Sequence, residues 1–173
     1  LDTGDMLLKE EYTIQKTDTT GILFEKLAQV GGNALNKTLD LLQKGELSPE
    51  KQDDEKSTYS PMIQKEFCGI DFEKTAAEIS CFVRGLNPFP GAKAYFADGK
   101  MLKILFAADS GETTDKAPGT VIESKEKLKI AAGGGTVLEI SVLQPEGKKA
   151  MQTADFLKGH TFKASEMLFG KKD

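Results

Sequence analysis

A chain of 173 residues, 39% hydrophobic and 29% charged, holds enough apolar material for one full domain or two small lobes, and its net charge of −4 argues against wholesale nucleic-acid binding. No apolar run approaches the roughly 18 residues that cross a bilayer, and Leu1-Asp2-Thr3-Gly4 lacks the basic-then-apolar pattern of a signal peptide. The charge is uneven: residues 1–89 carry 10 Lys and Arg against 16 Asp and Glu, whereas residues 90–173 carry 13 Lys, no Arg and 11 acids. Lysines suit sequence-independent phosphate contacts, although a solvated Lys/Glu surface is the plainer reading of charge alone.

Met6–Ile14 reads as a strand, with Met6, Leu7 and Leu8 apolar and alternation continuing through Tyr12 and Ile14. Thr17 or Asp18 is placed to cap the next helix, whose Leu23, Leu27, Val30, Ala34 and Leu41 fall near one face. Gly31-Gly32 is expected to break that helix in two, and Gly45 to end its second piece. Glu46–Ser60, with Pro49, Asp53-Asp54 and Ser57-Thr58, has the composition of an exposed linker, which puts the domain boundary there. A second helix is expected over about Phe72–Arg84, with Phe72, Ala76, Ile79 and Val83 buried and Gly85 as its C-cap. Asn87-Pro88-Phe89-Pro90-Gly91 is a rigid turn that no helix or central strand crosses. The cysteines, Cys68 and Cys81, sit in apolar contexts without a partner His and read as buried free thiols, which fits a reducing compartment.

From Ala92 the pattern becomes short strands. Lys93–Phe96 and Lys100–Ala107 flank the hairpin pair Asp98-Gly99. Thr120–Glu123, Leu128–Ala131 and Thr136–Leu143 follow, and a segment near His160–Leu168 supplies one more. About six short strands in roughly eighty residues imply a small closed or half-closed barrel of the kind oligonucleotide-binding folds use.

Four segments bear on chemistry. In Asp2-Thr3-Gly4-Asp5 a carboxylate precedes a small residue and Gly, a spacing that fits a turn Asp or one half of an aspartic-protease pair, with a third reading, a catalytic aspartate, depending on family resemblance. The protease needs two such carboxylates, and the chain has one triplet. Ala131–Thr136 is Gly-rich but lacks Gly-Lys-Ser/Thr and opens no helix, so a flexible hairpin turn is expected rather than a phosphate loop. His160, the only histidine, has no neighbours at metal-ligand spacing and no nucleophile placed around it. In Leu143–Met151 a strand ends at Pro145, a turn forms at Gly147, and Lys148 and Lys149 project together as a small basic loop.

Leu1–Met6 and Leu143–Met151, with Pro49 and Gln52-Asp53, Thr58-Tyr59, Lys65-Glu66, Ile70-Asp71-Phe72, Arg84–Ala92 and Pro118-Gly119, make the chain resemble the methionyl-tRNA formyltransferase family over nearly its whole length. Their order and spacing carry the resemblance. Phe72 and Phe89 stand where the family commonly has Trp, and this chain has no tryptophan.

The resemblance implies an α/β fragment, the tail of a Rossmann-like formyltransferase domain, over residues 1–45. A linker over 46–61 and a carboxyl-terminal domain over 62–173 follow. That domain is expected to be mostly β, a barrel like the oligonucleotide-binding fold with one leading helix. The implied reaction moves a formyl group from 10-formyltetrahydrofolate to the amine of methionyl-initiator tRNA in translation initiation. It is carried out by a cytoplasmic monomer without metal. Of the family's catalytic Asn, His and Asp, only the Asp maps here, onto Asp2. The other two, and the Ser-Leu-Leu-Pro segment that helps hold folate, are expected upstream of Leu1, so this chain alone is expected to be inactive. The implied tRNA contacts are Lys148 and Lys149, with Lys158 and Lys163 behind them. Rival readings are a folate-dependent formyltransferase with another acceptor and a non-catalytic nucleic-acid-binding module.

Overall fold

A computed structural model describes residues 2–163 and 166–170. The chain forms two compact units, Leu1–Ile63 and Gln64–Asp173.

The first unit is built on one helix, α1 (Thr20–Lys44), 25 residues long. Its N-cap is Thr19, whose Oγ1 accepts from the Ile22 N–H, and not Thr17 or Asp18. Asp18 is employed differently, its side chain only 2% exposed. Its Oδ2 accepts from the Gln15 N–H at 2.8 Å and the Tyr12 hydroxyl at 3.0 Å, while Oδ1 pairs with Lys26 Nζ at 2.7 Å. Gly31-Gly32 does not break the helix, against expectation. Each glycine costs about 1 kcal/mol relative to alanine, which the long run of flanking Leu, Ala, Asn, Lys and Gln carries without a kink. Gly45 does end it, at φ 69°, with the Gly45 and Glu46 N–H groups closing on the Leu42 and Leu41 carbonyls. The expected strand Met6–Ile14 is absent: among the described residues of this segment only Met6 pairs, in an antiparallel bridge with Glu50. A strand needs a neighbour along its length to satisfy its amides, and here Leu7 and Ile14 lie exposed instead.

The second unit begins with helix α2 (Ala76–Gly85). It starts later than Phe72 because Thr75-Ala-Ala-Glu78 forms a capping box, Thr75 Oγ1 accepting from the Glu78 N–H and Glu78 Oε2 from the Thr75 N–H. Gly85 is its last helical residue and Leu86 its C-cap. Ala76, Ile79, Ser80 and Val83 face the sheet. Cys81 lies opposite Ile79, two residues or roughly 200° around the helix, and is therefore exposed; Cys68 is buried as expected.

The sheet comprises β1 (Ala92–Tyr95), β2 (Met101–Thr113), β3 (Val121–Glu123), β4 (Leu128–Ala131), β5 (Thr136–Pro145) and β6 (Met151–Gln152). All pairings are antiparallel, in the order β1-β2-β5-β4-β3, with β6 also on β5. Leu102, Ile104, Ala107, Leu128, Ile130, Leu138, Ile140 and Leu143 point into one core against α2. Residues 166–169 join the two outer strands. Phe169 exchanges backbone hydrogen bonds with Tyr95 of β1, while the Val121 N–H donates to Glu166 and the Leu168 N–H to Gly119. Among the described residues this segment is bridged only at Met167 and Phe169 and is no continuous strand; Ala164 and Ser165 of the expected strand lie outside the described residues. A third helix, α3 (Thr153–Gly159), was not expected, since seven residues are too few to show a period.

The Gly-rich connection is not a loose hairpin turn. Gly133 donates to the carbonyls of both Phe72 and Lys74 at 2.8 Å, so the sheet is fastened to the approach to α2.

Two stability predictions follow from these contacts. A Cβ on Gly133 would lie 1.7 Å from the Glu73 carbonyl oxygen, whereas one on Gly31 meets nothing within 4 Å. In urea unfolding, Gly133→Ala is expected to destabilise by about 2 kcal/mol or more, and Gly31→Ala to raise the stability of the α1 unit by about 0.5–1 kcal/mol. Hydrogen bonds from Lys26, the Gln15 amide and Tyr12 hold the Asp18 carboxyl below its ordinary value. A depressed carboxyl stabilises above its unfolded value of about 3.9 and loses that contribution as pH falls through the folded value. Thermal melts followed by circular dichroism should therefore show Asp18→Asn melting lower than the parent at pH 7, with the gap closing below about pH 4.

Candidate nucleic-acid interface

Asp2 lies at the start of the first unit with φ 58°, a left-handed conformation that Asp adopts more readily than most residues. Gln52 fixes it there, its Nε2 donating to the carbonyls of Asp2 at 2.8 Å and Gly4 at 2.6 Å. The carboxylate is exposed and is not held by any hydrogen bond or ion pair among the described residues. Nearby, the Met6–Glu50 bridge and the Lys9–Glu50 ion pair at 2.7 Å fasten the same segment to the chain after α1.

The lysines expected to meet phosphate all belong to the second unit, and the fold sorts them. Strand β5 ends at Pro145, and Gly147 at φ 72° turns the chain back. The turn is pinned at three points. The Lys148 N–H donates to the Pro145 carbonyl, Gln144 Nε2 donates to the Lys148 carbonyl, and Glu146 donates its N–H to the Met101 carbonyl at the start of β2 while its Oε2 accepts from the Met101 N–H. The loop is rigid at its base, and Lys148 and Lys149 extend exposed from it without a carboxylate partner among the described residues.

Lys148 and Lys163 line one cleft of about 570 Å³. The β1–β2 turn contributes Asp98 and Lys100, the β5–β6 turn contributes Glu146, and the chain after α3 adds His160, Thr161 and Glu166. Lys149 is not part of this lining. Lys158 also stands apart and is tied to Asp155 by an i, i+3 ion pair at 2.7 Å. That hydrogen bond holds the Lys158 ammonium above its ordinary pKa, so it stays charged but partnered. Lys100 is in the same condition, raised by its hydrogen bond to Asp98.

The cleft contains groups that sequence reasoning did not connect with the lysines. Phe96, Phe156 and His160 form part of its wall, and Phe162 lies buried behind them. The Phe156 and His160 rings stack at 4.7 Å and 19°, and Phe96 lies 5.2 Å from His160. Phe162 meets the His160 ring edge-on at 4.7 Å. The i, i+4 spacing of Phe156 and His160 was the available signal, but it is legible only once α3 is known to be a helix. His160 Nε2 is buried with no hydrogen-bond partner among the described residues, and none of those residues form a cluster able to hold a metal ion. The two lysines therefore share the cleft with a cluster of rings packed on one another.

The second unit is an antiparallel sheet capped by α2 and carrying an aromatic-walled cleft, and its sequence matches one family. Residues 62–161 match the family described as formyl transferase, C-terminal domain, and the chain belongs to it. It is similar to the methionyl-tRNA formyltransferase of Lachnospira eligens, 44% identical over 174 residues that cover 97% of this chain and 55% of that one. Its identity to the methionyl-tRNA formyltransferase of Geotalea uraniireducens is 45%, over 100% of this chain and 54% of that one. With the methionyl-tRNA formyltransferase of Bacillus subtilis it shares 40%, over 97% and 53%. The chain thus spans about half the length of these relatives. Its fold is also that of part of HypX from Aquifex aeolicus, solved in complex with tetrahydrofolic acid, with a TM-score of 0.66 and 18% identity over 90% of this chain and 28% of that one.

Proposed function

We propose that this chain is the carboxyl-terminal part of a methionyl-tRNA formyltransferase, and that its second unit supports the tRNA. The observation that carries this reading is identity of 40–45% to proteins of that name along both units rather than one. In this reading the first unit is the tail of a Rossmann-like domain. Phe24, Leu27, Leu35, Leu39 and Leu42 of α1 are all exposed and fall within roughly 120° of one another around the helix. An apolar face of that length is what a helix presents to the rest of its own domain. The second unit is read as a barrel like the oligonucleotide-binding fold, which the bridging of both outer strands by residues 166–169 supports.

The reaction proposed is transfer of a formyl group from 10-formyltetrahydrofolate, a substrate here and not a resident cofactor, to the amine of methionyl-initiator tRNA. The attacking amine must shed a proton as it adds to the formyl carbon. Asp2, at a position fixed by Gln52, is assigned to orient the proton-carrying partner or a water at that step. The enzyme is assigned to the cytoplasm as a monomer. A formyltransferase with a different acceptor is the second reading, and the acceptor assay below separates the two.

In the intact polypeptide, Asp2→Asn is expected to lower formyl transfer to methionyl-initiator tRNA by about 10²-fold or more while leaving tRNA binding unchanged. Undiminished turnover would remove Asp2 from the mechanism. Transfer to a different acceptor in place of tRNA would remove the tRNA assignment. Replacing both Lys148 and Lys149 by Ala is expected to weaken tRNA binding and to reduce the slope of log K against log salt by roughly 1.4–1.8, about 0.7–0.9 for each lost phosphate contact. Lys158→Ala, already partnered by Asp155, should change that slope less. Equal slopes for all three proteins would move the tRNA surface elsewhere.

A further inference from the structure

The cleft between the β1–β2 turn and the β5–β6 turn brings the Phe96, Phe156 and His160 rings beside Lys148 and Lys163, which have no carboxylate partner among the described residues, and its charge balance narrows what can enter. Lys100, Lys148 and Lys163 face Asp98, Glu146 and Glu166. Each of those carboxylates is tied back. Asp98 accepts from Lys100 Nζ at 2.6 Å, Glu146 from the Met101 N–H at 3.2 Å, and Glu166 from the Lys163 N–H at 2.8 Å. The cleft is therefore close to neutral while the Lys148 and Lys163 ammonium groups remain free of carboxylate partners among the described residues. A nucleoside polyphosphate carries more negative charge than a cleft so close to neutral offsets. A phosphodiester, with a single charge and a flat base attached, matches two ammonium groups and a ring-lined wall. The volume of about 570 Å³ lies in the range of roughly 300–1,000 Å³ that one small ligand fills, and is too small for a duplex.

We propose that this cleft receives one unstacked nucleotide of an RNA chain, its base against the Phe156–His160 wall and its phosphate against Lys148 and Lys163. The proposal rests on the tRNA reading above for the source of that nucleotide, and it adds a base-stacking subsite to a surface otherwise assigned only to phosphate. Base stacking on aromatic side chains tolerates any base, so the subsite holds an unpaired nucleotide without reading its identity.

The chain has a single histidine, so the ring protons of His160 report on this cleft alone in an NMR spectrum. The 173-residue chain is titrated with a short oligoadenylate, with inorganic phosphate, and in parallel with initiator tRNA. The expected result is a saturable upfield shift of the His160 ring protons with oligoadenylate and none with phosphate. Lys148→Ala combined with Lys163→Ala should weaken that binding about ten-fold, and Phe156→Leu, which keeps apolar volume but removes the ring, should do so by a similar factor. An equal shift with inorganic phosphate overturns the stacking subsite. So does tRNA binding that leaves the His160 signals unmoved, although the tRNA reading then survives. An oligoadenylate-induced shift without any tRNA binding supports the cleft and sinks the tRNA reading instead.

Discussion

The antiparallel pairing of β2 with β5 is the contact on which the second unit depends. The register running from Leu102 opposite Pro145 to Thr113 opposite Thr136 brings Ile104, Ala107, Ile140 and Leu143 to one face. Most other elements attach to one of these two strands, while β3 joins the sheet through β4. β1 pairs with β2, β4 and β6 pair with β5, and α2 seals the face through Ser80 Oγ, which donates to the Ala107 carbonyl. The register shifts between Ile104 and Ala107 interrupt the regular ladder of this pair.

That pairing also sets the position of the cleft. Because Leu102 faces Pro145, the turn that precedes β2 and the turn that follows β5 lie at the same end of the sheet. Glu146 ties the two together through the amide of Met101. Lys148 is therefore carried on a stiff base, and the entropy of ordering the loop is already spent when a ligand arrives. α3 follows β6 directly and delivers Phe156 and His160 to the same end, where Phe162 and Phe96 complete the ring cluster.

The strands and the basic loop were legible because their signals are local. Asp98-Gly99 announces a hairpin, and Gly99 does turn it at φ 77°. Pro145 and Gly147 end β5 where the sequence places the end, since neither residue fits the interior of a strand. Local signals also misled. Gly31-Gly32 has the composition of a break, but a helix of 25 residues is cooperative enough to continue through two weak positions. Met6–Ile14 has the composition of a strand, but strand formation depends on a partner, which composition does not contain.

The sequence by itself determined the family, the hairpin and turn positions, and the buried stripe of α2. Each of these rests on residues close together in the chain, where spacing and backbone preference act directly. Only the tertiary structure decided which lysines share a cleft. It separated Lys148 and Lys163 from Lys149 and Lys158, paired Lys158 with Asp155, and placed the lone histidine among three phenylalanines. Those relations join residues from four separate segments, and they arise from sheet register and helix placement, which no single stretch of sequence encodes.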